Sequence, residues 1–263
     1  MVAKILSACF ALLFPDECRV CRRPLSEISR VPVCRDCLNE PAPFEAEHFC
    51  SACGAPFANA FPLGAEGRCM MCRLGLRGFD AAYCYGAYDG VLKELVHLFK
   101  YGRVTTLARP LGERLALALP RDQRFDFVVP LPMHWRRRWK RGFNQSELLA
   151  CEISRRSAIP LVKAVKRIKA TQVQAGLSGP RRRKNVLGAF AVTKPSPIQG
   201  KRILLVDDVM TTGSTASACA AALKSAGAAH VAVLALARAD RRWNSRSVPP
   251  ALGDGTVLTG ASS

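Results

Sequence analysis

The chain has 263 residues, with 39 Lys and Arg against 20 Asp and Glu, a formal net charge of +19. Apolar residues make up 49% and charged residues 22%, which excludes a disordered chain and supports one ordinary core plus an appendage. Apolar runs fall short of the ~18 residues that a membrane-spanning helix needs, so no membrane insertion is expected.

The first predicted element is an amphipathic or buried helix over Ile5 to Phe14. Pro15, Asp16, Glu17 and Cys18 follow it where an export signal would place a small-residue cleavage site, so the protein is expected in the cytoplasm. Twelve cysteines follow an uneven plan. Eight form four Cys-x-x-Cys pairs: Cys18/Cys21, Cys34/Cys37, Cys50/Cys53 and Cys69/Cys72. The intervals between pairs, 12 residues from Cys21 to Cys34 and 15 from Cys53 to Cys69, suit zinc ribbons. Two pairs supply the four thiolates of a tetrahedral Zn2+ site, and Gly54 suits the tight turn after Cys53. Two structural zinc sites are expected, joined sequentially because that scheme closes the shorter loops. A disulfide framework would need an oxidising compartment. Cys9, Cys84, Cys151 and Cys219 read as buried small side chains.

Charge divides the chain. Residues 1–80 carry nine basic and nine acidic side chains, so the whole excess lies in residues 81–263. A boundary is expected near Gly75 to Asp80, with a cysteine module over 1–78, a basic domain over 79–240 and a disordered tail over 241–263. In the basic part, Ala81 to Ala87 reads as a strand. Asp89 caps a helix through Val91, Leu92, Leu95, Leu98 and Phe99, and a second helix covers Leu107 to Leu119. Phe125 to Val129 is a buried strand stopped by Pro130-Leu131-Pro132. The run Arg136 to Gln145 reads as a basic loop, and the helix Ser146 to Arg156 turns Leu148, Leu149, Cys151 and Ile153 inward. Residues 170–185 read as a long loop. Arg202 to Val206 is a strand, Ser214 to Ala226 a helix and His230 to Ala237 a strand. This alternation predicts an α/β fold with a doubly wound, mostly parallel sheet.

The chemistry concentrates in Ile203-Leu204-Leu205-Val206-Asp207-Asp208-Val209-Met210-Thr211-Thr212-Gly213-Ser214-Thr215. A hydrophobic strand delivers two adjacent carboxylates, and a Thr/Gly loop then opens a helix. In open α/β sheets, ligands bind in that crevice. Loop amides and a helix N-terminus attract a phosphate, while paired acids accept hydrogen bonds from a vicinal diol. A sugar phosphate fits both.

This stretch resembles the signature of type I phosphoribosyltransferases, which bind phosphoribosyl pyrophosphate (PRPP). Together with the four cysteine pairs, Val-Pro-Leu-Pro and Arg-Gly-Phe-Asn-Gln, the chain to about Arg238 resembles the ComF family. The resemblance implies a type I phosphoribosyltransferase-like domain behind a zinc-ribbon module. It implies that Asp207 and Asp208 hold the ribose diol and stabilise a developing ribosyl cation, and that Thr211, Thr212, Gly213, Ser214 and Thr215 hold the 5′-phosphate. It implies a pyrophosphate region from Pro130–Pro132 towards Arg141 and Gly142, a mobile hood near Arg181 to Asn185, and Mg2+ arriving with PRPP. Two functions follow: a transferase that releases pyrophosphate to an unidentified acceptor, or a non-catalytic DNA-uptake adaptor. In the second, Arg136 to Arg141 with Trp139 holds single-stranded DNA and the zinc module docks a DNA-translocating motor protein.

Overall fold

The computed structural model describes residues 16–25, 29–74, 78–169, 188–193 and 196–239. The helix expected at Ile5 to Phe14, Cys9, the loop at 170–185 with its Arg181 to Asn185 cluster, and the tail expected at 241–263 lie outside these residues. Short elements carry the cysteine-rich part: α1 (Arg35–Asn39), the antiparallel pair β1 (His48–Phe49) and β2 (Pro56–Phe57), and α2 (Met70–Arg73). The basic part follows with β3 (Ala81–Ala87), α3 (Gly90–Lys100), α4 (Ala108–Leu117), β4 (Phe127–Pro130), α5 (Trp135–Arg141) and α6 (Gln145–Ser157). An antiparallel ribbon of β5 (Val165–Arg167) and β6 (Phe190–Val192) comes next, then β7 (Arg202–Met210), α7 (Ser214–Ser225) and β8 (His230–Arg238).

The central sheet is parallel, in the order β3-β8-β7-β4. Both faces are covered, as parallel sheets require. Ile203 and Leu205 of β7 pack on one side with Ala216, Cys219, Ala220 and Leu223 of α7. Leu204 and Val206 pack on the other with α3, α4 and α6, through Leu95, Phe99, Leu111, Leu149 and Ile153. The period-2 alternation of a strand thus splits one apolar run between two cores.

The cysteine-rich part is built into both cores. Cys18, Val33 and Cys37 join the core beneath α3 and α4, whereas Cys50, Cys53, Phe57 and Cys69 join the core beneath α7. The buried Arg238 at the end of β8 donates from Nη1 to the Cys53 carbonyl at 2.8 Å. The Gly78 amide donates to Ser217 Oγ on α7 at 2.6 Å. Gly54 lies at φ +60°, and a Cβ there would stand 2.4 Å from the Ala82 carbonyl oxygen of β3. Gly54 therefore serves the knuckle turn and a close approach to the sheet at once.

Three local expectations are corrected. The run expected as a basic loop forms helix α5, with the His134 side chain accepting from the Arg136 amide at its start and left-handed Gly142 at its end. Cys151 is exposed on α6 and Cys84 is half-buried, while Cys219 is buried as expected. Strand β7 also continues past Val206 to Met210, because Asp207, Val209 and Met210 still pair with Ala235, Ala237 and Arg238 of β8.

Candidate functional site

Strand β7 carries Asp207 and Asp208 to the C-terminal edge of the sheet, into a cleft of about 210 Å³. Thr211, Gly213, Ser214, Thr215 and Arg141 line it. The loop closes because Gly213 takes φ +73° at the start of α7, a backbone state disfavoured for residues with a Cβ. The Thr212 and Ser214 hydroxyls lie 2.8 Å apart, and Thr212 Oγ1 accepts from the Ser214 amide at 3.4 Å. Thr212 thus helps to shape the loop through Ser214. The loop sits at the N-terminus of a 12-residue helix, where free amides and the helix dipole attract anions.

Gly142 lies outside the cleft lining. It caps α5 at φ +87°, with its amide donating to the Arg138 carbonyl at 2.7 Å. Arg141 reaches the cleft with its guanidinium 4.9 Å from the centre of the Tyr101 ring.

Several cleft residues carried no signal of their own in the sequence. Ser146, at the start of α6, donates from Oγ to Asp207 Oδ1 at 3.0 Å, and the Asp208 amide donates to the same oxygen at 2.9 Å. Lys100, the last residue of α3, places Nζ 2.9 Å from Asp208 Oδ1. Asn144 donates from Nδ2 to the Leu131 carbonyl at 3.1 Å, which ties the Pro130–Pro132 turn to the start of α6. Arg137 and Arg167 also line the cleft. Arg136 instead lies over Trp135, 5.2 Å from the ring centre, and Arg138 pairs with Glu147 at 3.4 Å.

The electrostatics are those of a crowded site. Burial, then the neighbouring Asp208 charge, pushes the Asp207 carboxyl up to about 7, against the lowering effects of Lys100 and its two hydrogen bonds. Burial works against the Lys100 charge, but Asp208 more than offsets it and holds the ammonium above its usual range. Burial and the nearby Arg137 lower the Arg167 guanidinium.

The eight paired cysteines form two clusters, Cys18, Cys21, Cys34, Cys37 and Cys50, Cys53, Cys69, Cys72, in the sequential scheme. Within each, the four sulfurs lie within 4.8 Å of one another. Cys21 and Cys34 Sγ are 3.7 Å apart, and Cys53 and Cys69 Sγ 3.8 Å. A tetrahedral Zn–S bond of about 2.3 Å sets sulfurs about 3.8 Å apart, so both clusters fit zinc.

The family model for the phosphoribosyl transferase domain matches residues 144–248. Competence protein F of Haemophilus influenzae is 33% identical over 235 residues, covering 86% of this chain and 98% of the relative. DNA utilization protein YhgH of Escherichia coli K12 is also 33% identical over 235 residues, covering 86% and 99%. Among solved structures, glutamine PRPP amidotransferase from B. subtilis matches at 22% identity and a TM-score of 0.35; the aligned part covers 49% of this chain and 26% of that one. No helix among the described residues is long and apolar enough to cross a membrane. The parallel sheet, the acid-tipped strand, the Thr/Gly loop and the near full-length relatives lead to one assignment: the chain belongs to the ComF family, with a type I phosphoribosyltransferase domain and two four-cysteine clusters.

Proposed function

We propose that the cleft binds PRPP with Mg2+ and that the protein transfers the phosphoribosyl group to an acceptor, releasing pyrophosphate. The observation that carries this reading is the juxtaposition of Asp207 and Asp208 with a phosphate-type loop at a helix N-terminus in one cleft. Thr211, Gly213, Ser214 and Thr215 hold the 5′-phosphate, with Thr212 holding the loop. Arg141 and Arg137 face the pyrophosphate. The acids accept from the ribose hydroxyls and stabilise positive charge at the anomeric carbon as its bond to pyrophosphate breaks. The cleft sets four cations, Lys100, Arg137, Arg141 and Arg167, against two carboxylates, a donor set suited to a metal arriving on pyrophosphate rather than to an all-protein cage. Bound there, Mg2+ supplies charge neutralisation for the leaving group. Incubation with PRPP, Mg2+ and a pool of nucleobases and amines, followed by mass spectrometry, tests the transfer. A new phosphoribosyl adduct supports it; hydrolysis alone, or intact PRPP, contradicts it.

Helix α5 favours a second role on the same chain, in line with the names of its relatives. Trp135 and Trp139, one helical turn apart, are 63% and 87% exposed beside Arg136. Exposed aromatics interleaved with cations suit stacking on single-stranded DNA, and the cysteine module then serves a DNA-translocating motor protein. Because Arg137 lines the cleft, the clean disruption is Trp135→Ala with Arg136→Ala and Trp139→Ala. Unchanged affinity for single strands in that variant would exclude this surface.

A further inference from the structure

Lys100 lies 108 positions before Asp208 in the chain, yet α3 delivers its ammonium to that carboxylate. Both side chains are nearly enclosed, 14% and 12% exposed. The placement has a backbone reason: Lys100 ends an 11-residue helix, and a helix C-terminus favours a cation. The neighbouring Asp207 is arranged differently, with Oδ1 accepting from a hydroxyl and an amide. Two adjacent acids thus have unlike partners, an ammonium for one and neutral donors for the other.

We infer that Lys100 is a positioning residue that divides the acid pair, holding Asp208 as the ion-paired acceptor and leaving Asp207 to its hydroxyl and amide donors. This deepens the PRPP reading and rests on it for its functional consequence. A pair left to share charge would present a different face to a ribose hydroxyl at each pH. With the ammonium in place, Asp208 is held by its ion pair, while Asp207 is raised to about 7. The groups facing the pair come from every wall: Lys100 of α3, Tyr88 following β3, Arg137 and Arg141 of α5, Arg167 of β5, and Cys219 of α7. Lys100 makes the direct contact with Asp208, and Arg167 interacts electrostatically with Asp207.

The test compares wild type, Lys100→Met and Lys100→Arg by thermal melting without ligand between pH 5 and pH 9. Lys100 lowers the Asp207 carboxyl, so removing the ammonium raises that carboxyl further above about 7. An acid whose folded value is raised loses stability as pH rises through that value. The Met variant should therefore melt close to wild type at pH 5 and fall progressively behind towards pH 9. The Arg variant, which restores the charge, should recover most of the deficit. A deficit of equal size at every pH, or one that Arg leaves unchanged, would mean that Lys100 only packs and would overturn the inference. In a second arm, PRPP with Mg2+ is titrated into each protein at pH 6 and pH 8. The ratio of Met-variant to wild-type dissociation constants should grow about tenfold towards pH 6, since Asp207, raised further without the ammonium, takes up a proton there; a constant ratio counts against the inference. Wild type that binds no PRPP would refute the proposed function alone, because the ligand-free series still decides the role of Lys100.

Discussion

Gly54→Ala probes how the second cysteine cluster is joined to the sheet, and the structure provides its own control. At Gly54 the backbone is left-handed, at φ +60°, and an added Cβ would meet the Ala82 carbonyl oxygen at 2.4 Å. At Gly142 the backbone is also left-handed, at φ +87°, but nothing lies within 4 Å of an added Cβ. A left-handed residue with a Cβ costs about 1–2 kcal/mol. Overpacking adds about 1–3 kcal/mol where a backbone atom must move. Gly142→Ala should thus cost about 1–2 kcal/mol and Gly54→Ala about 2–5 kcal/mol. For a domain of this size, about 2–4 °C of melting temperature is lost per kcal/mol. Thermal melting should show a drop of about 5 °C for Gly142→Ala and about 10 °C or more for Gly54→Ala. Equal drops for the two variants would refute the close packing of the cysteine knuckle on β3.

Other consequences follow from the same geometry. Metal analysis of freshly purified protein should give two zinc ions per chain, and iron–sulfur absorption or a single zinc would contradict the cluster assignment. Chelation should lower the melting temperature of the whole chain in one transition, because Cys50, Cys53 and Cys69 share a core with β7 and α7; a sheet domain that melts unchanged would contradict this. Asp207, raised to about 7, contributes stability that is complete below its unfolded value near ~3.9 and is lost as pH rises through about 7. Asp207→Asn should therefore flatten the decline in melting temperature between pH 5 and pH 8, and an unaltered slope would show that another group titrates.

The sequence was most informative where local pattern and tertiary fate agree. Ala81 to Ala87, the apolar stripe from Val91 to Phe99, and the acid-tipped strand leading to Thr211–Thr215 each form the expected element. The four cysteine pairs were legible because metal spacing is a local property. Helix α5 is hard to read from the sequence because Trp135 and Trp139 are its only apolar residues at helical spacing, in an otherwise arginine-rich run of seven residues. Its helical signals are the His134 contact to the Arg136 amide and the left-handed Gly142. Lys100 and Ser146 were invisible as site residues for a different reason: only the winding of α3 and α6 over β7 brings them to Asp208 and Asp207. The attachment of the cysteine module to both sheet faces was equally hidden, since Arg238 meets Cys53 across 185 positions.

Asp207 and Asp208 with the Thr211–Thr215 loop stand at the centre of the proposed ribose-phosphate site. Calorimetric titration of PRPP with Mg2+ into wild type and into the Asp207→Ala, Asp208→Ala double variant tests this directly. Wild type should show one saturable site, and the double variant should lose binding while remaining folded by circular dichroism. Binding of equal affinity in both proteins, or no binding to wild type, would contradict the proposed site.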